Sequence, residues 1–317
     1  MEWYYVLLII LGSILILYVI FSFVVAYYLT NMVIHPYCTP FQEALDREIK
    51  LNKFSLDEYE IYFHREDFDI KSKYGYNLKA MYIPKQVDVN FKDNKERVVI
   101  LSHGWTSNRF AMLSYAKIYL KLGFHIFVYD HRNHLHSDKR VTTMGDKEAD
   151  DLQTVIEVVK QRLGANIVIG THGESMGAAT VMIHAGRYHS VDFVVEDCGY
   201  NTLKELLTYQ CGVYKKIPTF PSMLFSEMLF KILTKTSFKD VNCEFEVSTC
   251  DDIPICFMHG DNDDFVPTYM AYKLYDNKPG FKRIYLYKDS KHAYSQLDHK
   301  DKYEKDVILF LKESNII

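Results

Sequence analysis

The chain has 317 residues, which is long enough for one large domain or two small ones. Its 37 basic and 41 acidic residues leave a net charge of −4, and because no long run of Lys or Arg occurs, the composition excludes a nucleic-acid-binding surface built on positive charge. The six cysteines form no C-x-x-C pair, which argues against a zinc site or a redox dithiol. Cys256 lies in an apolar run and is predicted to be a buried free thiol, which favours a reducing compartment.

The first thirty residues are almost entirely apolar. Residues 3–29 contain no charge, and as a helix they would measure ~40 Å, more than the ~30 Å hydrocarbon core of a bilayer. Trp3 at one end and Tyr27 and Tyr28 at the other are typical of interfacial aromatic belts. Residues 1–30 are therefore predicted to be one transmembrane anchor. The alternatives are a cleaved signal peptide, whose basic start and small-residue cleavage site are missing, and a buried core helix.

The segment after the anchor, residues 31–57, is predicted to be a polar helical stalk. Three apolar residues recur in it at the four-residue spacing of one helix face: Phe41, Leu45 and Ile49. Three basic residues also follow the anchor: Arg47, Lys50 and Lys53. Nothing basic except the α-amino group precedes the anchor, so the positive-inside rule predicts a single-pass membrane protein whose folded domain faces the cytoplasm.

Residues 58–317 are predicted to form one domain in which buried strands alternate with helices. The predicted strands are 58–64, 76–83, 97–101, 124–129, 166–170, 191–196, 253–258 and 283–287. The predicted helices are 108–122, 146–163, 175–187, 267–276 and 300–313. Continuous Val and Ile runs are typical of parallel strands, so we expect an α/β fold with a mostly parallel eight-stranded sheet flanked by helices.

Residues 200–250 interrupt this alternation. Pro218 and Pro221 break a stretch rich in Leu, Met and Phe, and an insertion between two core strands would lie above the carboxyl edge of the sheet. We therefore expect a small helical lid. Its apolar residues could line an acyl pocket or only pack the lid's own core: Leu206, Leu207, Phe220, Met223, Leu224, Phe225, Met228, Leu229 and Phe230.

A nucleophile motif follows the fifth predicted strand. Residues 173–177 read G-E-S-M-G, a G-x-S-x-G pattern with a predicted strand before it and a predicted helix after it. A sharp strand-to-helix turn holds such a serine in a strained conformation, and both glycines must be small because the turn packs against its neighbours. The bare pattern also occurs by chance in Gly/Ser loops, but these flanking elements favour Ser175 as a nucleophile.

A serine nucleophile needs a general base and an acid that orients the base. Two later strands end in the required residue types, at the edge where such a sheet places its site. His292 follows the last predicted strand and is the candidate general base. Three acids follow the strand before it: Asp261, Asp263 and Asp264.

The loops that carry these residues resemble those of a known family. Residues 259–267 contain the pattern H-G-x-x-D-x-x-V-P, which resembles the acid loop of α/β-hydrolases of the prolyl-oligopeptidase and serine-aminopeptidase type. The sequence K-H-A-Y-S around His292 resembles the histidine loop of small membrane-anchored bacterial hydrolases. The resemblance covers most of the chain beyond the stalk. It implies the α/β-hydrolase fold and makes Asp263 the acid of a triad with Ser175 and His292, with Asp264 as the alternative.

The oxyanion hole of such a site needs two backbone N–H groups. One is expected from Met176, the residue after the nucleophile. In related hydrolases a His-Gly pair precedes the second donor, so the loop S-H-G-W-T-S-N at residues 102–108 implies the N–H of Trp105. The competing interpretation of this loop is a glycine turn with a packing tryptophan.

Residues 130–137 read D-H-R-N-H-L-H-S and resemble the D-x-R-x-x-G-x-S loop, in which Asp and Arg brace the site. Leu135 stands where the relatives have glycine, so a positive φ there would strain the turn. The three histidines of this segment leave a metal site as the alternative, although no Asp, Glu or Cys partner is evident.

These features predict a serine hydrolase that cleaves an acyl ester through an acyl-enzyme, with no cofactor and no metal. The anchor and the apolar lid favour a small acyl ester or a lipid-like substrate. A peptidase stays open, because the lid contains carboxylates that could hold a substrate N-terminus: Glu205, Glu227, Glu244 and Glu246. An acyltransferase on the same triad and a non-catalytic α/β-hydrolase scaffold that binds a ligand also stay open.

Overall fold

The computed structural model describes residues 2–51, 53–62 and 64–317. Its strands are β1 (Glu66–Lys71), β2 (Asn77–Ile83), β3 (Glu96–Ser102), β4 (His125–Tyr129), β5 (Ile167–Glu174), β6 (Phe193–Asp197), β7 (Ile255–Gly260) and β8 (Lys282–Tyr287). Its helices are α1 (Trp3–Ile34), α2 (Phe41–Lys50), α3 (Leu113–Leu120), α4 (Asp146–Leu163), α5 (Met176–Tyr188), α6 (Leu203–Tyr209), α7 (Ser222–Thr234), α8 (Cys243–Ser248), α9 (Tyr269–Asn277), α10 (Ser295–Asp298) and α11 (Lys300–Glu313).

In the described part of the chain, eight strands form one sheet in the order β1-β2-β4-β3-β5-β6-β7-β8. Strand β2 is antiparallel to β1 and to β4, whereas every pairing from β4 to β8 is parallel. The middle strands β4, β5, β6 and β7 are buried along their whole length, as their Val and Ile runs require. The predicted eight-stranded, mostly parallel sheet with flanking helices is confirmed.

Helices α4 and α11 have the bounds that their apolar periodicity predicts. The start of α4 is capped by Glu148, whose carboxylate accepts the N–H groups of Thr143 and Gly145 at 2.9 Å each. Gly145 has φ +115°, and Gly164 beyond the last turn has φ +91°. Both values suit glycine and mark the helix ends.

The predicted strand 58–64 is wrong. Residues Glu58–Tyr62 form a single π-helical turn, and the first strand is β1 instead; Phe63 lies outside the described residues. The Ser55 hydroxyl accepts the N–H of Glu58 at 3.1 Å, and the Glu58 carboxylate accepts the N–H of Ser55 at 2.7 Å. This reciprocal S-x-x-E capping box is a helix-start signal that outweighs the strand-favouring residues of the segment.

Helix α2 lies in the predicted stalk and packs on the folded body. Leu45 is buried, and the ring of Phe41 contacts the ring of Phe110 with centroids 5.0 Å apart. The carboxylate of Glu48 is also buried and pairs with Arg47 at 3.0 Å and with Lys53 at 2.9 Å. The boundaries 1–30, 31–57 and 58–317 stay a prediction.

Helix α1 is, among the described elements, the one long and apolar enough to cross a membrane. Its carboxyl end is docked against the sheet's carboxyl edge. The indole N–H of Trp105 donates to the Val33 carbonyl at 3.0 Å, and the Asn133 amide donates to the Ile34 carbonyl at 3.1 Å. The Thr142 N–H donates to the same Ile34 carbonyl at 2.9 Å. The body therefore satisfies carbonyls that the end of a helix leaves unpaired.

Between β6 and β7 the chain forms the helices α6, α7 and α8, with short turns between them. Phe230 of α7 is buried and contacts Phe238 with ring centroids 5.2 Å apart. Helix α7 also packs along α1. The helical insertion expected for residues 200–250 is therefore present, and it lies beside the apolar N-terminal helix.

The loop after β4 takes the strained path that its leucine implies. Leu135 has φ +33° and Asn133 has φ +64°. Arg132 is buried and holds the loop by donating to Asp151 at 2.8 Å. The Ser137 hydroxyl donates to the Asp130 carbonyl at 2.6 Å. These bonds compensate for the conformational cost of leucine at a position that favours glycine.

Replacement of Arg132 should strongly destabilise the protein. Arg132→Met leaves the buried carboxylates of Asp151 and Glu148 without their cation, at a cost of about 3–5 kcal/mol. The expected result is a fall of several degrees in the melting temperature of the detergent-solubilised chain. Arg140→Met is the matched control, because Arg140 is exposed, donates to the adjacent Lys139 carbonyl and, like Arg132, lies over the Tyr76 ring, but pairs with neither buried carboxylate. Equal melting temperatures for the two variants would contradict the bracing role of Arg132.

Candidate active site

The sharp turn expected of the G-x-S-x-G motif is present at the end of β5. Ser175 has φ 57° and ψ −114°, and helix α5 begins at the next residue. A Cβ added to Gly173 would lie 2.2 Å from the Gly177 carbonyl oxygen, and one added to Gly177 would lie 2.0 Å from the Ser102 carbonyl oxygen. Glycine is therefore required at both positions, for the reason that the motif implies.

Three candidate residues from three strand ends meet through their side chains. The Nε2 atom of His292 lies 2.9 Å from the Oγ of Ser175, and its Nδ1 atom lies 2.7 Å from the Oδ2 of Asp263. With the Nδ1–H donating to the carboxylate, Nε2 is free to accept the serine proton. The structure thus brings together the nucleophile, base and acid that were proposed from separate motifs.

Asp263 is buried and is held as a carboxylate. Its Oδ1 accepts the N–H groups of Phe265 at 2.9 Å and of Val266 at 2.8 Å. Burial alone would raise its pKa, but hydrogen bonds from His259 and His292 hold the pKa of Asp263 well below its ordinary value. An ionised acid is what the orientation and stabilisation of a catalytic imidazolium require.

The neighbouring acids have other environments. Asp261 accepts the N–H of Asp289 at 2.6 Å and so fastens the acid loop to the histidine loop. Asp264 is exposed. His259, which entered the sequence analysis only as part of a motif, lies with its Nε2 3.3 Å from the Asp263 carboxylate. Burial disfavours the charged form of the His259 ring, but Asp263 raises the pKa of His259 above its ordinary value. His259 therefore helps to hold Asp263 in its ionised form.

The loop after β3 lies against the nucleophile. A Cβ added to Gly104 would come within 3.3 Å of the Ser175 Cβ. Within the described residues, neither the N–H of Trp105 nor that of Met176 donates to a protein acceptor. Met176 is also the first residue of α5, where the helix dipole favours negative charge. Both expected oxyanion donors are thus unpaired beside the nucleophile, and their role stays a prediction.

Three buried histidines stand behind this loop. The His103 ring accepts the N–H of His131 at 3.0 Å and contacts the rings of His131 and His134 with centroids 4.6 and 4.9 Å away. Burial lowers the pKa of His103 and of His134 to about 3, so these rings are neutral. The cluster ties the Trp105 loop to the loop after β4 and acts as packing.

The grouping of possible metal ligands found among the described residues is Cys198, Asp263 and His292, whose ligand atoms lie within 4.8 Å of one another. Two of these residues are already hydrogen-bonded to each other. Burial raises the pKa of the Cys198 thiol well above its ordinary value, which disfavours the thiolate that binds metals. The serine–histidine–aspartate arrangement accounts for the geometry better than a metal does.

An apolar cavity of about 190 Å³ opens beside Ser175. Its other lining residues come from α1, from the Trp105 loop, from the segment before α4, from the lid and from the acid loop: Leu29, Met32, Val33, Trp105, Met144, Tyr200, Leu206, Leu207, Gln210, Cys211, Lys215 and Phe265. Apolar walls of this kind suit a hydrocarbon group bound next to the reacting centre. The contribution of the N-terminal helix was not expected from the sequence.

A buried acid cluster beneath the nucleophile also escaped the sequence analysis. The Tyr303 hydroxyl donates to Asp197 at 2.9 Å, and the Tyr115 hydroxyl donates to Glu174 at 2.8 Å. The Asp197 carbonyl accepts the Ser175 N–H at 2.8 Å. The strand-end position of Asp197 was the available signal, but single acids at strand ends are common. The partner tyrosines lie far away in sequence.

Comparisons with known proteins agree with this architecture. A family model described as the alpha/beta hydrolase fold matches residues 97–202. The uncharacterized protein YqkD of Bacillus subtilis is 31% identical over 252 residues, which span 78% of this chain and 79% of YqkD. Among solved structures, the esterase Pf2001 of Pyrococcus furiosus is 22% identical with a TM-score of 0.64, covering 81% of this chain and 95% of that one. The acylaminoacyl peptidase of Pyrococcus horikoshii is 16% identical with a TM-score of 0.60, covering 79% and 41%.

Asp197 makes the stability of the protein depend on pH. Burial, and next the nearby Glu174, raises the pKa of Asp197 from 3.8 to about 7. Between these values the folded chain keeps a proton that the unfolded chain releases, so the free energy of unfolding falls as pH rises, by on the order of 4 kcal/mol. Asp197→Asn can still accept the Tyr303 hydroxyl and should remove this contribution to the fall. A fall of similar size should remain from Glu196, whose pKa burial raises from 4.5 to about 8.

The measurement is denaturant unfolding of the wild type and the variant at several values between pH 4 and pH 7.5 in one detergent. Asp298→Asn is the control, because Asp298 is exposed and its loss should leave the pH dependence unchanged. Parallel pH profiles for the wild type and Asp197→Asn would rule out the buried proton.

Proposed function

This chain belongs to the α/β-hydrolase superfamily, and from that premise we propose that it is a serine hydrolase that cleaves acyl esters with Ser175 as its nucleophile. The observation that carries the proposal is the unbroken chain of hydrogen bonds from Ser175 through His292 to Asp263, at 2.9 and 2.7 Å. At its Ser175 end, this series of hydrogen bonds lies beside an apolar cavity. Such an arrangement is the one that activates a serine hydroxyl for attack on a carbonyl.

In the proposed mechanism, Ser175 Oγ attacks the ester carbonyl while His292 Nε2 takes the hydroxyl proton. Asp263 holds the ring in position and stabilises the imidazolium that forms. The N–H groups of Trp105 and Met176 donate to the tetrahedral oxyanion. His292 then returns the proton to the leaving alkoxide, which departs as the alcohol. Water repeats the sequence on the acyl-enzyme and releases the carboxylic acid and free serine.

The cavity supports an acyl ester rather than a peptide. Among its described lining residues none is a carboxylate that could bind a substrate α-amino group. Three of the four lid carboxylates are engaged elsewhere: Glu205 pairs with Lys273 at 2.8 Å, Glu227 with Lys204 at 3.8 Å, and Glu244 accepts from Asn277 at 3.1 Å. The fourth, Glu246, lies against Gly186 of α5 and does not line the cavity. We therefore favour ester hydrolysis over the peptidase alternative.

The membrane part of the proposal is a single-pass anchor formed by α1, with the catalytic domain in the cytoplasm. It is supported by the length and hydropathy of α1 and by three basic residues that follow its carboxyl end: Arg47, Lys50 and Lys53. Both features are independent of the catalytic geometry.

The first test is labelling by a fluorophosphonate probe together with turnover of a short-chain p-nitrophenyl ester. Wild-type protein should label and turn over. Ser175→Ala should abolish labelling, and His292→Ala and Asp263→Asn should lower kcat by about 10⁴-fold, because the base or its orientation is lost.

Asp264→Asn is the matched control for Asp263→Asn, because it removes an adjacent but exposed carboxylate. It should keep wild-type activity. Folded wild-type protein that neither labels nor turns over the ester would contradict the enzymatic proposal and favour a ligand-binding scaffold. Transfer of the acyl group to an added alcohol in preference to water would identify an acyltransferase.

A further inference from the structure

The N-terminal helix forms part of the cavity at the nucleophile. Leu29, Met32 and Val33 of α1 line the same cavity as Ser175. Val33 is also held through its carbonyl by the indole of Trp105, the residue proposed to supply an oxyanion donor. The end of α1 is therefore a structural wall of the site, not a flexible connection to it.

The apolar space continues away from Ser175 between α1 and the lid. A second, narrow cavity of about 20 Å³ shares four lining residues with the first: Leu29, Val33, Leu207 and Cys211. Its remaining walls include Met223 and Phe230 of α7. The two cavities mark a seam that leads from the nucleophile along the surface of α1.

Helix α7 follows this seam along the uncharged part of α1. The ring of Phe225 contacts the ring of Phe23 with centroids 5.6 Å apart, and the Phe220 carbonyl accepts the Tyr18 hydroxyl at 2.5 Å. Tyr18 lies about 16 Å from Leu29 along the axis of α1, at ~1.5 Å for each residue. The tip of the lid thus reaches well into the segment that would span a bilayer.

The outer face of the lid is apolar and exposed. Phe220, Leu224, Met228 and Ile232 recur at four-residue spacing and are 76%, 61%, 46% and 56% exposed. An exposed apolar stripe of this kind marks contact with another apolar phase. Its continuity with α1, whose side chains are also exposed and apolar, identifies that phase as the bilayer.

We propose that α1 forms one wall of the acyl pocket, and that the substrate is a long-chain acyl ester that passes from the bilayer to Ser175 between α1 and the lid. This inference rests on the ester hydrolysis proposed above and adds the substrate class and its route. The acyl chain would lie against Leu29 and Met32, with its carbonyl at the nucleophile.

The test of the pocket compares p-nitrophenyl butyrate with p-nitrophenyl palmitate on the full-length chain in one detergent. Wild type should favour the palmitate in kcat/KM, because every buried methylene adds transition-state binding. Leu29→Trp should lower the palmitate-to-butyrate ratio of kcat/KM by ~10-fold or more by filling the pocket. Tyr28→Trp is the matched control, since Tyr28 is the preceding residue but is 68% exposed, and it should keep the wild-type ratio.

Fluorophosphonate labelling at the wild-type rate shows that the site of each variant is intact. If Leu29→Trp fails to label, the smaller change Met32→Phe replaces it, and its palmitate-to-butyrate ratio of kcat/KM is compared with that of the wild type. If the palmitate-to-butyrate ratio of kcat/KM in the pocket variant equals that of Tyr28→Trp, or if the wild type prefers butyrate, α1 does not form a wall of the acyl pocket. Neither result would contradict the proposed hydrolase activity. A wild type that does not label refutes the proposed function itself, so the two failures are distinguishable.

The route is tested in phosphatidylcholine vesicles that contain the palmitate ester. A charge in the bilayer is costly, so Leu224→Glu should lower vesicle-bound palmitate turnover by at least about threefold and leave soluble butyrate turnover unchanged. Thr208→Glu places the same charge on an exposed residue of α6 and should change neither. Equal turnover of vesicle-bound palmitate in both variants would contradict substrate access from the bilayer. The exposed face of the lid would then be a contact surface for a protein partner.

Discussion

The site depends on one backbone turn at Ser175. A φ of 57° is disfavoured for a residue with a side chain, at a cost on the order of 1–3 kcal/mol, so the surrounding structure must hold it. Two flanking strands do so. The end of β3 leaves the Ser102 carbonyl so close to Gly177 that no larger residue fits, and the end of β6 offers the Asp197 carbonyl to the Ser175 N–H at 2.8 Å. Because both restraints come from the sheet, Ser175 has a fixed position, and His292 of the loop after β8 reaches it at 2.9 Å.

Two aspartates near the carboxyl edge of the sheet show how donors decide ionisation. Asp263, in the loop after β7, and Asp197, at the end of β6, are both buried. Asp263 receives two backbone N–H groups and two imidazoles, which hold its pKa low in spite of burial. Asp197 receives tyrosine hydroxyls, and burial raises its pKa to about 7. The ionised carboxylate that contacts His292 is thus distinguished from one that keeps its proton, although both lie close to Ser175.

The sequence was most informative where one local pattern determines one local structure. Helix α4 has both a capping carboxylate and glycines at its ends, and its bounds were predicted to the residue. Ser175 and His292 could be found because each follows a strand at the same sheet edge, whereas the choice of Asp263 among three neighbouring acids rested on the resemblance of its loop to the acid loop of α/β-hydrolases. The strand predicted over 58–64 was wrong because strand-favouring residues over so short a segment do not separate a strand from a capped helical turn. The tyrosines that bind Asp197 could not be found, because nothing in the sequence indicates that α3 and α11 meet beneath β5.

The N-terminal helix shows how uniform hydrophobicity can conceal a docking surface. In a run where nearly every residue is apolar, a face that packs on protein and a face that meets lipid have the same hydropathy. The difference lies in side-chain size. The buried residues Ser22, Ala26 and Thr30 have small side chains and recur every four residues. This series begins at Tyr18, whose hydroxyl donates to the lid. Small residues at this spacing let two helices approach closely, as α1 and α7 do. A helix that served only as a tether would need apolar character alone, whereas this one also carries a stripe of small residues, a carbonyl bound by Trp105 and three side chains in the cavity. In this molecule, the segment long and apolar enough to cross a membrane therefore also shapes the cavity beside Ser175.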